Sequence, residues 1–461
     1  MSKPIPPLAP GALPFLGHAL SFRNGRDQLL QHGYDTCGPV FALKLATQNV
    51  AVLVGPEYSK IFFQETDRSL SMVEPYQFLR ESFGDVAFLV GPEYYKQTRS
   101  VLHEPFKRHK MTQYLAVMQE RTQVWLDTLG ETGEIELVAA VTQLVQDIAG
   151  SALMGRKFQE QVGDEFWPLY EAISLALDPM LPAHWPLPKF KRRDRARAKL
   201  EALLRPMLAE RRQNPDAYDD FMQELLNARD TTGQPLDDEH VIPLLLGLLF
   251  AGHETTAGQA AWTIVELLRH PEYAQRVQQE VDAVLPYQGE LNMERLAQME
   301  HIEWAVREVE RVRPSADMVF RYVTTPLEVG DYVVPAGWLV QTSSLLTHNL
   351  PEVFANPEQF DPLRYAPDRA EDKKHRFGLI GFGGGIHRCT GMNFANMEMS
   401  VITALLWQQF EVELVTQDTH VAQGMGANRP SATIVRYRRR PAPVGELVGA
   451  GAATAAGCPY H

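Results

Sequence analysis

A mainly α-helical fold with a small β region, carried by a single domain, is what this chain predicts. Three observations predict it. Helical periodicity runs over residues 101–155 and again over 158–212, with prolines at the breaks. A third helical pattern opens at Asp237-Asp238, acidic residues suited to the positive end of a helix, and continues to His270-Pro271, where proline stops it. At roughly 33 residues it would be about 50 Å long, far beyond an average helix. The β-prone runs, by contrast, are few and short.

In chain order, a proline-rich lead-in through Gly17 runs extended. Residues 40–45 and 49–54 then alternate as strands around Ala46-Thr47-Gln48, a hairpin signal. Lys189, Lys191, Arg192, Arg193, Arg195, Arg197 and Lys199 form a basic run, read as the solvated end of a helix. A helix over 293–313 ends at Pro314, and β-prone pieces follow at 318–324, 327–334 and 338–343. A loop-rich region leads to Gly391, and a further helix covers 392–409. No internal repeat is visible, and no boundary cuts the body in two. From Val444 the chain is rich in Gly and Ala without a core-forming pattern, which predicts a flexible tail over 441–461.

Composition narrows the function. With 45% apolar, 9% aromatic and 22% charged residues, the 461-residue chain is neither disordered nor collagenous. A net charge of −13 argues against nucleic acid as a partner. Cys37, Cys389 and Cys458 lie too far apart for a disulfide framework, so a reducing cytoplasm is expected. Residues 4–22 carry Pro4, Pro6, Pro7, Pro10 and Pro14 and read neither as a signal peptide nor as a membrane span. The apolar run 241–252 is too short to cross a bilayer. A soluble, cytoplasmic protein without a transmembrane anchor is the expectation.

The chemistry concentrates in Phe382-Gly383-Gly384-Gly385-Ile386-His387-Arg388-Cys389-Thr390-Gly391. With Gly381 this makes five glycines in eleven residues, which lets backbone approach something flat and bulky. Cys389 stands beside Arg388 and at the start of a helix, and both features favour a thiolate. A lone cysteine is poor evidence for structural zinc and suits an axial ligand to haem iron much better.

Phe-x-x-Gly-x-His-x-Cys-x-Gly, at Phe382, Gly385, His387, Cys389 and Gly391, resembles the haem-ligand signature of the cytochrome P-450 family. The resemblance implies Cys389 as the proximal ligand to haem b (iron protoporphyrin IX), with His387 where the family usually places an arginine on a propionate. Three further segments match in order. Ala251-Gly252-His253-Glu254-Thr255-Thr256 is similar to the family's distal oxygen-binding motif. Gly252 weakens a helix interior by about 1 kcal/mol relative to Ala, which would permit a local widening. The resemblance makes Thr255 a hydroxyl donor and Glu254 a proton supplier. Glu308-Val309-Glu310-Arg311 fits Glu-x-x-Arg, a pattern also present at Glu65/Arg68, Glu266/Arg269 and Glu310/Arg313. The following Pro314 selects Glu308/Arg311, and Arg364 in Phe360-Asp361-Pro362-Leu363-Arg364-Tyr365 would complete a buried structural charge cluster. Tyr95-Lys96-Gln97-Thr98-Arg99 resembles a Trp-x-x-x-Arg helix with Tyr in place of Trp.

The same resemblance gives the haem set as Arg99, Arg321, His387, Lys96, Tyr76, Gly252, Ala251 and Phe382, and the substrate pocket as Phe78, Phe83, Phe250 and Met318. It implies the family fold over 1–440. It also implies a monooxygenase that inserts one atom of O2 into an apolar substrate of sterol, terpenoid or fatty-acid-like type. No Gly-x-Gly-x-x-Gly dinucleotide fingerprint and no cysteine cluster is present, so electrons must come from a separate donor, most simply a ferredoxin with its NAD(P)H-dependent reductase. His387, Tyr76 with Phe78, Phe83-Gly84 and Phe250-Ala251-Gly252-His253 look most like the sterol 14α-demethylase branch. Glu254 departs from that branch, which usually has histidine there, and Asp85-Val86-Ala87-Phe88-Leu89 fits its pattern only in part. Two rivals remain at this point, a peroxide-driven haem-thiolate enzyme and a non-catalytic haem sensor. The sensor has no use for Glu254 and Thr255.

Overall fold

The computed structural model describes residues 3–156, 158–179, 181–229, 233–287, 289–423 and 427–441. All but the first residue of the expected tail lies outside them. The helices that frame the site are α1 (Pro92–His103), α2 (Arg108–Asp127), α3 (Leu137–Leu153), α4 (Asp164–Ser174), α5 (Pro188–Gln213), α6 (Asp238–Arg269), α7 (Glu300–Val312) and α8 (Met392–Gln409). A five-stranded sheet is built from β1 (Val40–Leu45), β2 (Gln48–Leu53), β3 (Leu70–Ser71), β4 (Met318–Val323) and β5 (Leu339–Ser343), in the order β1-β2-β5-β4-β3. The hairpin register pairs Val40 with Leu53 and Leu45 with Gln48, around a turn in which Ala46 takes φ 53°.

The long helix forms as its caps predict. The Asp237 side chain accepts the N–H of His240 at the N-terminus, and the helix ends at Arg269, before His270-Pro271. It is long and apolar enough to cross a membrane by length and composition, yet 67% of its most apolar window is buried within the protein. Two core clusters meet along it. Val241 to Leu249 pack with α4, α5 and residues 79–89, whereas Ala257 to Leu267 pack with α2, α3, α7 and α8. Ala251, Gly252 and Thr255 sit at the junction, where the face is accessible although the helix on either side is buried.

Three segments differ from the elements the sequence predicts. Residues 293–313 are not one helix, because Met293–Ala297 and α7 are separated by a break at Gln298-Met299. A helix at Pro271–Val284 goes unread, since Pro271 marks both the stop of one helix and the N1 position of the next. Thr132–Glu136 is a strand inside a stretch read as helical, and it pairs with Ile434–Arg439 far down the chain. The basic run lies on α5, with Lys191, Arg192, Arg195 and Lys199 exposed opposite the buried Phe190, Ala196 and Leu200.

Candidate functional site

The Cys389 loop is held from both sides. The backbone N–H of Cys389 donates to Phe382 O at 3.0 Å, closing the loop on itself. Gly385, at φ 68°, could carry no side chain, because a Cβ there would meet Phe63 O at 2.7 Å. Cys389 is exposed as a residue although protein crowds its sulfur, and the N–H groups of Gly391 and Met392, at the start of α8, favour the thiolate. The expectation of a lowered thiol pKa does not hold. Burial pushes it up and the Glu310 charge adds to this, outweighing the Gly391 N–H, Arg388 and the Met392 N–H. The surrounding protein costs the thiolate more solvation than these donors return.

A cationic and aromatic group adjoins the loop. His387 Nε2 meets Asp67 Oδ2 at 2.7 Å, and its ring stacks on Tyr95 with centroids 4.1 Å apart. Arg321 is 4% exposed. Its Nε donates to Thr66 Oγ1 at 3.2 Å and its Nη1 to Phe320 O at 2.7 Å, with the Phe62 ring below. Burial lowers its pKa, opposed by the Tyr76 hydroxyl and Asp67. Arg99 Nε is buried without a partner, and Tyr76 Oη accepts the Phe320 N–H at 3.1 Å. Lys96 lies within electrostatic reach of the same Asp67. It is exposed and pairs with Glu93 at 2.8 Å. Asp67, which organises His387 from a turn at φ 68°, carries no motif and went unread.

On α6 the expected local widening is absent, and the α-helix is continuous through Gly252. Thr255 Oγ1 donates to Ala251 O at 2.7 Å, so its proton is engaged with the helix carbonyl four residues back. Glu254 is buried, 3.6 Å from His253 Nε2, and its charge helps raise the Tyr170 phenol, second to burial. Phe83 packs on Phe250 at 4.6 Å in a cluster that also takes in Phe78, Tyr76 and Ile386 of the cysteine loop. Met318 does not join them. It packs with Phe41, Val50 and Phe354 beneath the sheet, because the β4 register turns it to that side. A separate cavity of about 750 Å³, lined among others by Tyr114, Ser151, Phe158 and Arg211, contains none of these residues.

The charge cluster forms as expected. Glu308, Arg311 and Arg364 are each 0% exposed. Arg311 bonds Glu308 at 2.7 and 3.0 Å and gives its other N–H groups to the carbonyls of His348, Pro357 and Gln359. Arg364 Nε lies 3.1 Å from both Glu308 oxygens, and its Nη1 reaches Glu371 at 2.8 Å. The competing pairs are weaker, with Glu65/Arg68 at 3.9 Å and Arg313 turned to Glu266 instead of Glu310.

His348 also belongs to this support. It is 0% exposed, its Nε2 accepts the Ile380 N–H at 2.9 Å, and its Nδ1–H therefore donates to Arg311 O at 3.0 Å. Burial lowers its pKa to about 3. In the unfolded chain His348 protonates near its ordinary value of about 6.5. The stability tied to its neutral form is therefore complete above that pH and is lost as pH falls toward the folded value. By pH 5 the loss is about 2 kcal/mol. Denaturant midpoints at pH 7 and pH 5 should show this, and His348→Gln, though less stable at pH 7, should show a smaller drop between the two.

The donors and shapes fit a haem. An exposed cysteine at a helix start suits iron, Arg99, Arg321 and His387 suit two carboxylates, and a glycine loop and an open helix face suit a flat ring. The chain belongs to the cytochrome P450 family, whose profile matches residues 6–431. It is thus a P450 monooxygenase, and the family implies a haem-thiolate cofactor, O2 and a redox partner. Among its relatives, a sterol 14α-demethylase of Mycolicibacterium vanbaalenii is 32% identical over 92% of this chain and 96% of its own. An obtusifoliol 14-alpha demethylase of Sorghum bicolor is 29% identical over 95% and 91%. The retinoic acid-bound cyanobacterial CYP120A1 structure superposes with a TM-score of 0.85 at 29% identity, covering 95% of this chain and all of that one.

Proposed function

We propose that the chain oxidises a hydrophobic substrate of sterol, terpenoid or fatty-acid-like type, with Cys389 as the thiolate that would hold the iron of haem b. A ferredoxin with its NAD(P)H-dependent reductase supplies electrons in the cytoplasm. The observation that carries this reading is the loop itself, in which two backbone N–H groups favour the thiolate of an exposed cysteine while Ile386 packs into the same wall as Phe83 and Phe250. Haem bound to a thiolate supplies activation of dioxygen. Arg99, Arg321 and His387 would hold the propionates. Phe78, Phe83 and Phe250 desolvate the apolar substrate.

Turning about χ1 frees the Thr255 hydroxyl from Ala251 O so that it can donate a hydrogen bond into the site, and the buried Glu254 would supply the proton that the reaction consumes. With reductase and oxygen, Thr255→Ala is expected to consume oxygen at a near-normal rate but divert most of it to peroxide, while Thr255→Ser stays coupled. Glu254→Gln should slow product formation and alter its pH profile. Unchanged coupling in Thr255→Ala, or turnover driven equally well by peroxide alone, would favour the peroxide-driven reading. Spectral titration with sterols, terpenoids and fatty acids tests the substrate class. Sterol 14α-demethylation proper is the second reading, favoured by the names of the relatives. Glu254 in the place of histidine argues against it. Tight sterol binding with complete removal of the 14α-methyl group would establish it.

A further inference from the structure

Glu310 lies inside the Glu308–Arg311 motif but takes no part in its charge cluster. It turns the other way, onto the cysteine loop. Its carboxylate faces the backbone N–H groups of Phe382 and Gly381, with Arg307 and Arg388 the nearest cations and the Cys389 thiol within its electrostatic reach. The approach is so close that a Cβ on Gly381 would lie 2.5 Å from Glu310 Cγ and 2.8 Å from its Oε1. Gly381 is therefore required by Glu310, and no other side chain could occupy that position without displacing the carboxylate. The contact passes to the ligand, since Phe382, whose N–H faces Glu310, uses its carbonyl to accept the Cys389 N–H at 3.0 Å.

We propose that Glu310 is a positioning residue for the thiolate, fixing the Gly381–Phe382 backbone that holds Cys389 and setting the reduction potential of the iron through its negative charge. A carboxylate on the thiolate side disfavours the added electron, so Glu310 holds the potential down. The inference rests on Cys389 being the ligand.

Three readouts on the full-length protein test it. Glu310→Gln keeps the shape and loses the charge, so the haem potential should move positive, by at least threefold in the reduction equilibrium, with the red-shifted reduced-CO band intact. Glu310→Leu leaves the two N–H groups without an acceptor. It should also lower the fraction of protein showing that band and speed amide exchange over residues 381–389, a readout available in apoprotein. Gly381→Ala should lower the thiolate-ligated fraction in the wild-type background and do so much less in Glu310→Ala, because the colliding carboxylate is gone. Wild-type potential and exchange in both Glu310 variants would overturn the proposal, as would Gly381→Ala being equally harmful with and without Glu310. If the wild-type protein itself lacks the red-shifted band, the ligand assignment has failed and this proposal falls with it.

Discussion

Arg311→Ala is expected to destabilise the fold by about 3–5 kcal/mol and to yield protein with little or no haem. The size follows from what the guanidinium does. All five of its N–H donors are used, two on Glu308 and three on backbone carbonyls at positions 348, 357 and 359. Removal therefore leaves Glu308 short of one of its two buried cations and takes the donor from three carbonyls, of which the His348 contact is buried and costs on the order of 1–3 kcal/mol, while those of Pro357 and Gln359 are part-buried. Those carbonyls belong to the segment leading from α7 toward the cysteine loop, so the damage reaches the site. Glu308→Ala should be as harmful, because it strands Arg311 and Arg364 together. Arg311→Lys restores the charge but not the planar fork, so it should recover only part of the loss. Haem content per protein and denaturant midpoints are the measurements. Normal values for both alanine variants would show that the pair does not hold the fold.

Much of the architecture is legible in the residues because it is local. Asp237 and Pro271 bound the long helix, Pro314 picks one Glu-x-x-Arg pair out of four, and the spacing around Cys389 places it at the start of α8. What escaped depends on distant partners. The strand Thr132–Glu136 owes its form to pairing with residues some 300 positions away, not to its own Thr-Gly-Glu-Ile-Glu sequence. His348, Glu371 and Asp67 belong to no motif and become meaningful only when folding brings them to Arg311, Arg364 and His387. The family resemblance places Met318 in the pocket, but strand register, which has period two, points it elsewhere. The thiol pKa failed for a related reason. Arg388 and the helix start are visible in sequence, whereas the desolvation that outweighs them is not.

Cys389→His is expected to abolish the strongly red-shifted haem band of the reduced, CO-treated protein and to reduce oxygen-dependent turnover to background. Imidazole is neutral, so it cannot supply the electron density that an anionic sulfur donates to iron and that favours O–O cleavage. The loop is also shaped for sulfur. The Gly391 and Met392 N–H groups favour charge on an atom one bond beyond Cβ, and an imidazole nitrogen lies farther out, where the Phe382 carbonyl anchor at 3.0 Å no longer controls its position. The positive end of α8 adds a field that stabilises an anion there and gives a neutral ring nothing. Cys37→Ala is the matched control. That thiol ends a helix at Arg26–Cys37, with its sulfur 3.9 Å from Leu8 O, in a part of the chain that shares no cluster with the loop. It should leave band and turnover unchanged. A red-shifted band that survives in Cys389→His and disappears in Cys37→Ala would move the ligand to the other end of the molecule.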